Sequence, residues 1–145
     1  MALQIAVAGK GGTGKTTFAS LAVRQLTLNG MKPVLAVDAD ANANLNEALG
    51  IEIGETISDI LAGLKNGTRP MPAGMTKDQY VEYKIYQSLA EGEDVDLLSM
   101  GGPEGRGCYC YANNILRKCM ESLSRNYTAV VADNEAGLEH LSRRT

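Results

Sequence analysis

Nine residues near the amino terminus, Gly9-Lys10-Gly11-Gly12-Thr13-Gly14-Lys15-Thr16-Thr17, carry the plainest chemistry in the sequence. They fit G-x-x-x-x-G-K-S/T, a loop whose glycines let the backbone curl until successive N–H groups converge on an anion. The N-terminus of a following helix favours the same charge. Lys15 brings a point charge suited to β- and γ-phosphates, and the Thr16 hydroxyl is suited to Mg²⁺. Residues 9–17 are therefore expected to cradle the phosphates of a nucleotide. Lys10 is a second lysine that the general pattern does not require.

Three carboxylates extend this site. Asp38 and Asp40 close one apolar run and Asp133 closes another, so all three fall at strand ends. A lone aspartate there usually caps a loop. Three beside a phosphate loop suit Mg²⁺, which keeps several waters and needs only a hydroxyl and one or two nearby carboxylates. The expected roles are direct ligation by Thr16, waters held by Asp38 and Asp133, and an attacking water oriented or deprotonated by Asp40. Gly137, in Asp133-Asn134-Glu135-Ala136-Gly137, is placed to offer its N–H to a γ-phosphate and sense hydrolysis.

Cys108 and Cys110 are the other candidates. Two thiolates one residue apart do not complete a tetrahedral site, but a twofold dimer would bring four together. Nickel accepts thiolates in a square plane and zinc in a tetrahedron. On spacing alone, a shared metal site and two loop cysteines without metal stand as equal readings. Cys119 lies in a helical pattern and reads as a small core residue. His140, the single histidine, reads as a structural hydrogen-bonding group.

The elements that must position these residues alternate. Residues 3–8 form a short unbroken apolar run, read as a central parallel strand buried on both faces. A helix follows from Thr16, with Phe18, Leu21, Ala22, Leu26 and Leu28 as its apolar face and Asn29-Gly30 as its stop. Residues 34–37 form the next strand, giving a parallel β-α-β unit. Short helices are expected at 44–49 and 56–64. Thr76 and Gln79 resemble a capping box for a helix reaching about residue 90, although 80–86 alternates enough to be a strand. Strands at 96–100 and 127–132 flank a helix from about 112 to 124. The expectation is a single α/β domain over 1–145, three-layered, with a mainly parallel sheet of about four or five strands.

Composition narrows the class. A 145-residue chain with 44% hydrophobic and 21% charged residues suits a globular domain, and its net charge of −3 gives no electrostatic case for nucleic acid. No apolar run reaches the roughly 20 residues that span a bilayer, so no membrane partner is expected. Three cysteines are poor material for a disulfide framework. A cytoplasmic protein with reduced thiols is the expectation.

The stretch from Gly9 to Thr16 resembles the deviant Walker A loop of the ATPase group that includes the Min cell-division and Par partition proteins and the nitrogenase iron protein. Residues 37–46, 105–114 and 133–145 are similar to segments of the CooC-type ATPases, which help insert nickel into carbon monoxide dehydrogenase. The resemblance implies a P-loop NTPase fold, binding of ATP and ADP with Mg²⁺, and hydrolysis in a nucleotide-dependent homodimer. It implies that Lys10 reaches the partner's phosphates, so that Lys10, Lys15 and Asp40 act catalytically. It also implies that Cys108 and Cys110 share Ni²⁺ or Zn²⁺ across the dimer, with carbon monoxide dehydrogenase or a related nickel enzyme as client. Family members continue past the segment matching Thr145, so the fold is expected to be incomplete and the base contacts to lie outside it. Two other readings are a positioning ATPase of the Min or Par kind and a reductase-like ATPase with an Fe–S cluster. Neither has cysteines at this spacing.

Overall fold

The computed structural model describes residues 1–42, 44–102 and 108–135, and of residues 108–110 the backbone alone. Among the described residues five strands and five α-helices run in the order β1 (Leu3–Gly9), α1 (Lys15–Leu28), β2 (Val34–Ala39), α2 (Leu45–Leu49), α3 (Ile57–Lys65), α4 (Lys77–Ser88), β3 (Ala90–Glu91), β4 (Val95–Ser99), α5 (Cys108–Leu123) and β5 (Ala129–Glu135). The strands form one sheet in the order β1-β5-β2-β4-β3. Four are parallel, and β3 runs antiparallel to β4 at the edge.

Alternation along the strands sorts the core into two layers, because successive side chains leave opposite faces of a sheet. Leu35, Val37 and Ala39 of β2, with Val130 and Ala132 of β5, pack under α3, α4 and α5. Val34 and Ala36, with Ala129 and Val131, pack under α1 and α2. Every residue of β2 is buried, as befits a strand covered on both faces. The expected three-layer α/β arrangement is what the chain adopts.

Three expectations change. Among the described residues the run at 3–8 lies at the end of the sheet and is covered less than a central strand, with Leu3, Gln4, Ala6 and Ala8 exposed. An apolar run reports β-character but not rank in the sheet, and among the described residues β1 pairs with β5 alone. β5 also separates β1 from β2, so the parallel β-α-β unit spans an intervening strand. On α1 the sheet-facing stripe is Lys15, Ala19 and Val23, with Ala22 and Leu26 partly buried. Phe18, Leu21 and Leu28 are exposed, at 61%, 56% and 70%. The helix is apolar on more than one side, so periodicity alone could not choose the inner one.

Local signals served better elsewhere. Thr76 and Gln79 form the expected capping box, which makes 77–88 a helix and not a strand. Thr56 caps α3 in the same way, with Asp59 returning a bond to the Thr56 N–H at 2.9 Å. Gly50 closes α2 in the left-handed conformation. The two-residue β3 had no separate signal, and α5 begins at Cys108, four residues before the expected start. Among the described residues no helix is long and apolar enough to cross a membrane.

The end of β4 is tied to its neighbours by backbone bonds. Met100 N–H donates to the Asp38 carbonyl at 2.8 Å, and Ser58 N–H donates to the Met100 carbonyl at 2.9 Å. Gly101 then turns with φ 74°, where a Cβ would stand 2.7 Å from Thr56 Cβ. Left-handed strain and this clash act together. Gly101→Ala is expected to cost about 2 kcal/mol or more, against about 1 kcal/mol for Thr56→Ala, which removes only the cap. Urea unfolding midpoints of the two variants check this. A smaller loss for Gly101→Ala would mean that the turn relaxes.

Candidate functional site

The phosphate loop joins β1 to α1 and carries the features an anion requires. Gly12 and Gly14 have φ of 78° and 86°, a region closed to most side chains. Gly14 caps α1 without any side-chain hydrogen bond, and the first turn holds no acidic residue. Both α3 and α4 answer their free N–H groups with capping boxes, whereas α1 leaves its own open to an external acceptor. Within the loop the Thr13 hydroxyl donates to the Lys10 carbonyl at 2.7 Å, and the Lys10 side chain is exposed. Gly9 lies against Thr13 and the Lys15 stem, with Lys15 Cδ 3.6 Å from where a Cβ would be. Gly11 and Thr17 are exposed.

Lys15 and Thr16, on the first turn of α1, reach over the carboxyl ends of β2 and β5. Lys15 Nζ is buried and donates to Asp40 Oδ2 at 2.7 Å and to the Asn134 carbonyl at 3.1 Å. Thr16 Oγ1 donates to Asp133 Oδ2 at 2.6 Å. The other Asp133 carboxylate oxygen is buried with no hydrogen-bond partner in the structure. Asp38 accepts from the N–H groups of Asp40 at 3.3 Å and Leu45 at 3.2 Å, so it also holds the turn leading into α2. Asp40 accepts from Asn42 N–H at 2.9 Å.

The strand register explains this gathering. Asp38 is paired with Asp133 on one side and Ser99 on the other. By alternation, these three share the sheet face that α1 covers. Like charges with little water raise one another's affinity for protons. Burial, reinforced by Asp133 and Asp40, pushes the Asp38 carboxyl up to about 6 despite its two N–H donors. Burial raises Asp133 as well, and the Thr16 hydroxyl and the Lys15 charge offset only part of that. Burial acts the same way on Asp40, but the Lys15 ammonium and the Asn42 N–H outweigh it and hold this carboxyl below its ordinary range.

The structure thus brings Lys15, Thr16, Asp38, Asp40 and Asp133 together beside the glycine loop. Gly137 lies outside the described residues, as do the side chains of Cys108 and Cys110. The backbone places those cysteines in the first turn of α5, not in a preceding loop. Among the described residues no three His, Cys, Asp or Glu gather as a metal site. Sequence reading missed the Asn134 carbonyl and Ser99. A main-chain acceptor has no side-chain signature, and Ser99 differs from an ordinary strand-end serine only through its register with Asp38.

The donor set suits a hard cation. A hydroxyl and a row of carboxylates supply only oxygen, one buried carboxylate oxygen lacks a partner, and burial raises two of the acids above their ordinary range.

Comparison with known proteins agrees with this geometry. The chain matches the AAA domain family model over residues 3–144. An uncharacterized ATP-binding protein of Methanocaldococcus jannaschii is 50% identical over 143 residues, covering 97% of this chain and 56% of that protein. The carbon monoxide dehydrogenase accessory protein CooC of Rhodospirillum rubrum is 32% identical, covering 99% of this chain and 58% of its own length. The solved septum site-determining protein MinD of Pyrococcus horikoshii, complexed with Mg-ADP, superposes with a TM-score of 0.59 at 27% identity, covering 98% of this chain and 52% of that one. The chain therefore spans a little over half the length of the proteins it matches. With the glycine loop, the bare helix end and the strand-end acids all in place, the chain belongs to the AAA domain family of P-loop ATPases and has a MinD-like fold.

Proposed function

We propose that this chain is the phosphate-binding part of a dimeric ATPase that converts ATP to ADP and phosphate and serves nickel insertion into carbon monoxide dehydrogenase or a related enzyme. The observation that carries the ATPase reading is the buried Lys15 ammonium held between Asp40 and the Asn134 carbonyl at the open end of α1. Phosphate oxygens offer that ammonium a stronger site. Leaving Asp40 for them also releases the carboxylate, and with Lys15 gone its affinity for protons rises. Asp40 then orients the attacking water and accepts its proton. Binding and activation of the base are one exchange.

Thr16, Asp133 and Asp38 would hold Mg²⁺, directly or through its waters, and the ion would neutralise phosphate charge. Gly9, Gly11, Gly12, Thr13, Gly14 and Thr17 contribute backbone or hydroxyl donors around the phosphates, and Gly137 reports the γ-phosphate. Lys10 acts on the nucleotide of a second copy. Its side chain is exposed while its carbonyl is fixed by Thr13, so its anchor is set and its charge is presented outward. A cation supplied from a partner stabilises transition-state charge as an arginine finger does.

The nickel role is supported by 32% identity with CooC, a carbon monoxide dehydrogenase accessory protein. Cys108 and Cys110, in the first turn of α5, would meet their counterparts across the dimer and hold Ni²⁺ or Zn²⁺ as cargo. A positioning ATPase is the second reading, supported by the similarity to MinD. Metal content separates the two.

Anoxically purified protein, weighed in solution with ADP and with a non-hydrolysable ATP analogue, is expected to dimerise only with the analogue and to carry one nickel or zinc per two chains. Cys108→Ser with Cys110→Ser is expected to abolish the metal. Retention of stoichiometric metal sinks the nickel role and leaves the ATPase standing. Lys10→Ala is expected to abolish the dimer and to slow hydrolysis by at least about 10³-fold.

Asp40→Asn leaves the buried Lys15 ammonium without its counter-charge. The nucleotide-free chain is expected to lose about 1–3 kcal/mol, less when saturated with Mg-ADP, because the phosphates then replace the lost partner. Hydrolysis falls by about 10²-fold, with Mg-ADP affinity unchanged or tighter. Thermal unfolding with and without ADP and a phosphate-release assay read these effects.

Proton competition gives a further check. Asp38 is raised to about 6, so it is ionised at pH 7.5 and mostly protonated at pH 5. A protonated carboxyl repels no neighbour and attracts no cation, so Mg-ADP affinity is lost as pH falls. The expected loss between pH 7.5 and pH 5 is about 10-fold, read by calorimetry.

A further inference from the structure

On the sheet face opposite α1, a hollow of about 460 Å³ opens between α3, α4 and the start of α5. Its size is that of a small-molecule site. Leu61 and Leu64 of α3 and Met71 of the following loop supply an apolar floor and wall, and Tyr111 closes the α5 side. Lys65, Arg69 and Lys77 stand around it, and among the described residues no carboxylate lines it.

These cations differ in how they are held. Arg69 folds back across α3 where Gly63 leaves room, since a Cβ there would come within 2.6 Å of the Arg69 Cδ and Nε. It is paired with Glu55 and so fixes the rim without adding net charge. Lys77 Nζ lies 4.8 Å from the centre of the Tyr111 ring, which orients the ammonium without neutralising it. Asp78, the next residue, is occupied elsewhere. It accepts the Tyr111 hydroxyl at 2.9 Å and faces Lys118 at 3.9 Å. Burial and this bond raise the Tyr111 phenol to about 12, so it remains a donor. Lys65 and Lys77 therefore present positive charge over an apolar hollow whose described lining includes no acid.

We propose that this hollow is a binding site for a small amphipathic anion, with an apolar body against Leu61, Leu64, Met71 and Tyr111 and an acidic head group between Lys65 and Lys77. The site is separate from the phosphate loop, which lies across the sheet. An apolar hollow alone would take neutral molecules equally well, and two exposed lysines alone would take inorganic anions. Their juxtaposition selects a ligand having both parts.

The test uses the 145-residue chain with 8-anilinonaphthalene-1-sulfonate as a fluorescent probe, decanoate as competitor and decanol as its neutral counterpart. Binding is expected to saturate at one probe per chain, decanoate is expected to displace it, and decanol to be at least about 10-fold weaker. Carbon-13 labelled methionine methyl spectra are expected to show the Met71 resonance moving with the titration. Lys65→Glu with Lys77→Glu is expected to weaken binding at least about 10-fold with an unchanged unfolding temperature, because both side chains are exposed. Phe18→Ser, on the exposed apolar side of α1, is expected to change nothing. Unsaturable binding, equal affinity for decanol, indifference to the double substitution, a still Met71 resonance, or loss on Phe18→Ser would each overturn the proposal.

Discussion

The arrangement at the carboxyl end of the sheet depends on one imbalance, which among the described residues sets three carboxylates against a single buried cation. Asp38 and Asp133 are neighbours in register on β2 and β5, and Asp40 follows two residues on. Lys15 bonds only one of them, Asp40, and its charge offsets part of what burial does to Asp133. The others are met by weaker means, a hydroxyl for Asp133 and two N–H groups for Asp38. Burial makes the deficit costly, which is why the two acids furthest from Lys15's direct bond are raised while Asp40 is lowered. A site deficient in positive charge at rest is one that a cation completes.

That imbalance in turn requires the strand order. If β1 and β2 were adjacent, Asp133 would not sit between the loop and Asp38. Insertion of β5 puts Asp133 and the Asn134 carbonyl directly under the first turn of α1. The small residues on the inner stripe of α1, Ala19 above all, let the helix approach the sheet closely enough for Thr16 to reach Asp133. Larger residues there would lift the helix and break a 2.6 Å bond. Phe18 and Leu21 thus face outward at a position where the inner stripe has no room for them.

Much of this was legible in local pattern. The glycine loop, its two lysines and the strand-end aspartates are chemical signals at fixed spacings, and they mark a phosphate site before any fold is known. Capping boxes at Thr56 and Thr76 are equally local, and they settled helix against strand for 77–88. What local pattern does not carry is the rank of strands. The apolar run 3–8 has the composition of a central strand, yet among the described residues it lies at the end of the sheet. The register that pairs Asp38 with Ser99 and Asp133 joins residues 61 and 95 positions apart, and no periodicity within one segment encodes it. The Asn134 carbonyl was hidden for a different reason, since every residue has one.

Asp38 links the two faces of the sheet. Asp38 turns its carboxylate toward the α1 face, while its carbonyl accepts from Met100, whose own carbonyl accepts from Ser58 in the first turn of α3. Gly101 keeps that junction tight by turning where no side chain fits. The same Asp38 holds the turn at Leu45 through its carboxylate, so one residue anchors both the loop between Asp40 and α2 and, through Met100, the helix whose Leu61 and Leu64 line the hollow on the far face. The strand-end carboxylates and the opposite layer are two hydrogen bonds apart, although the sheet lies between them.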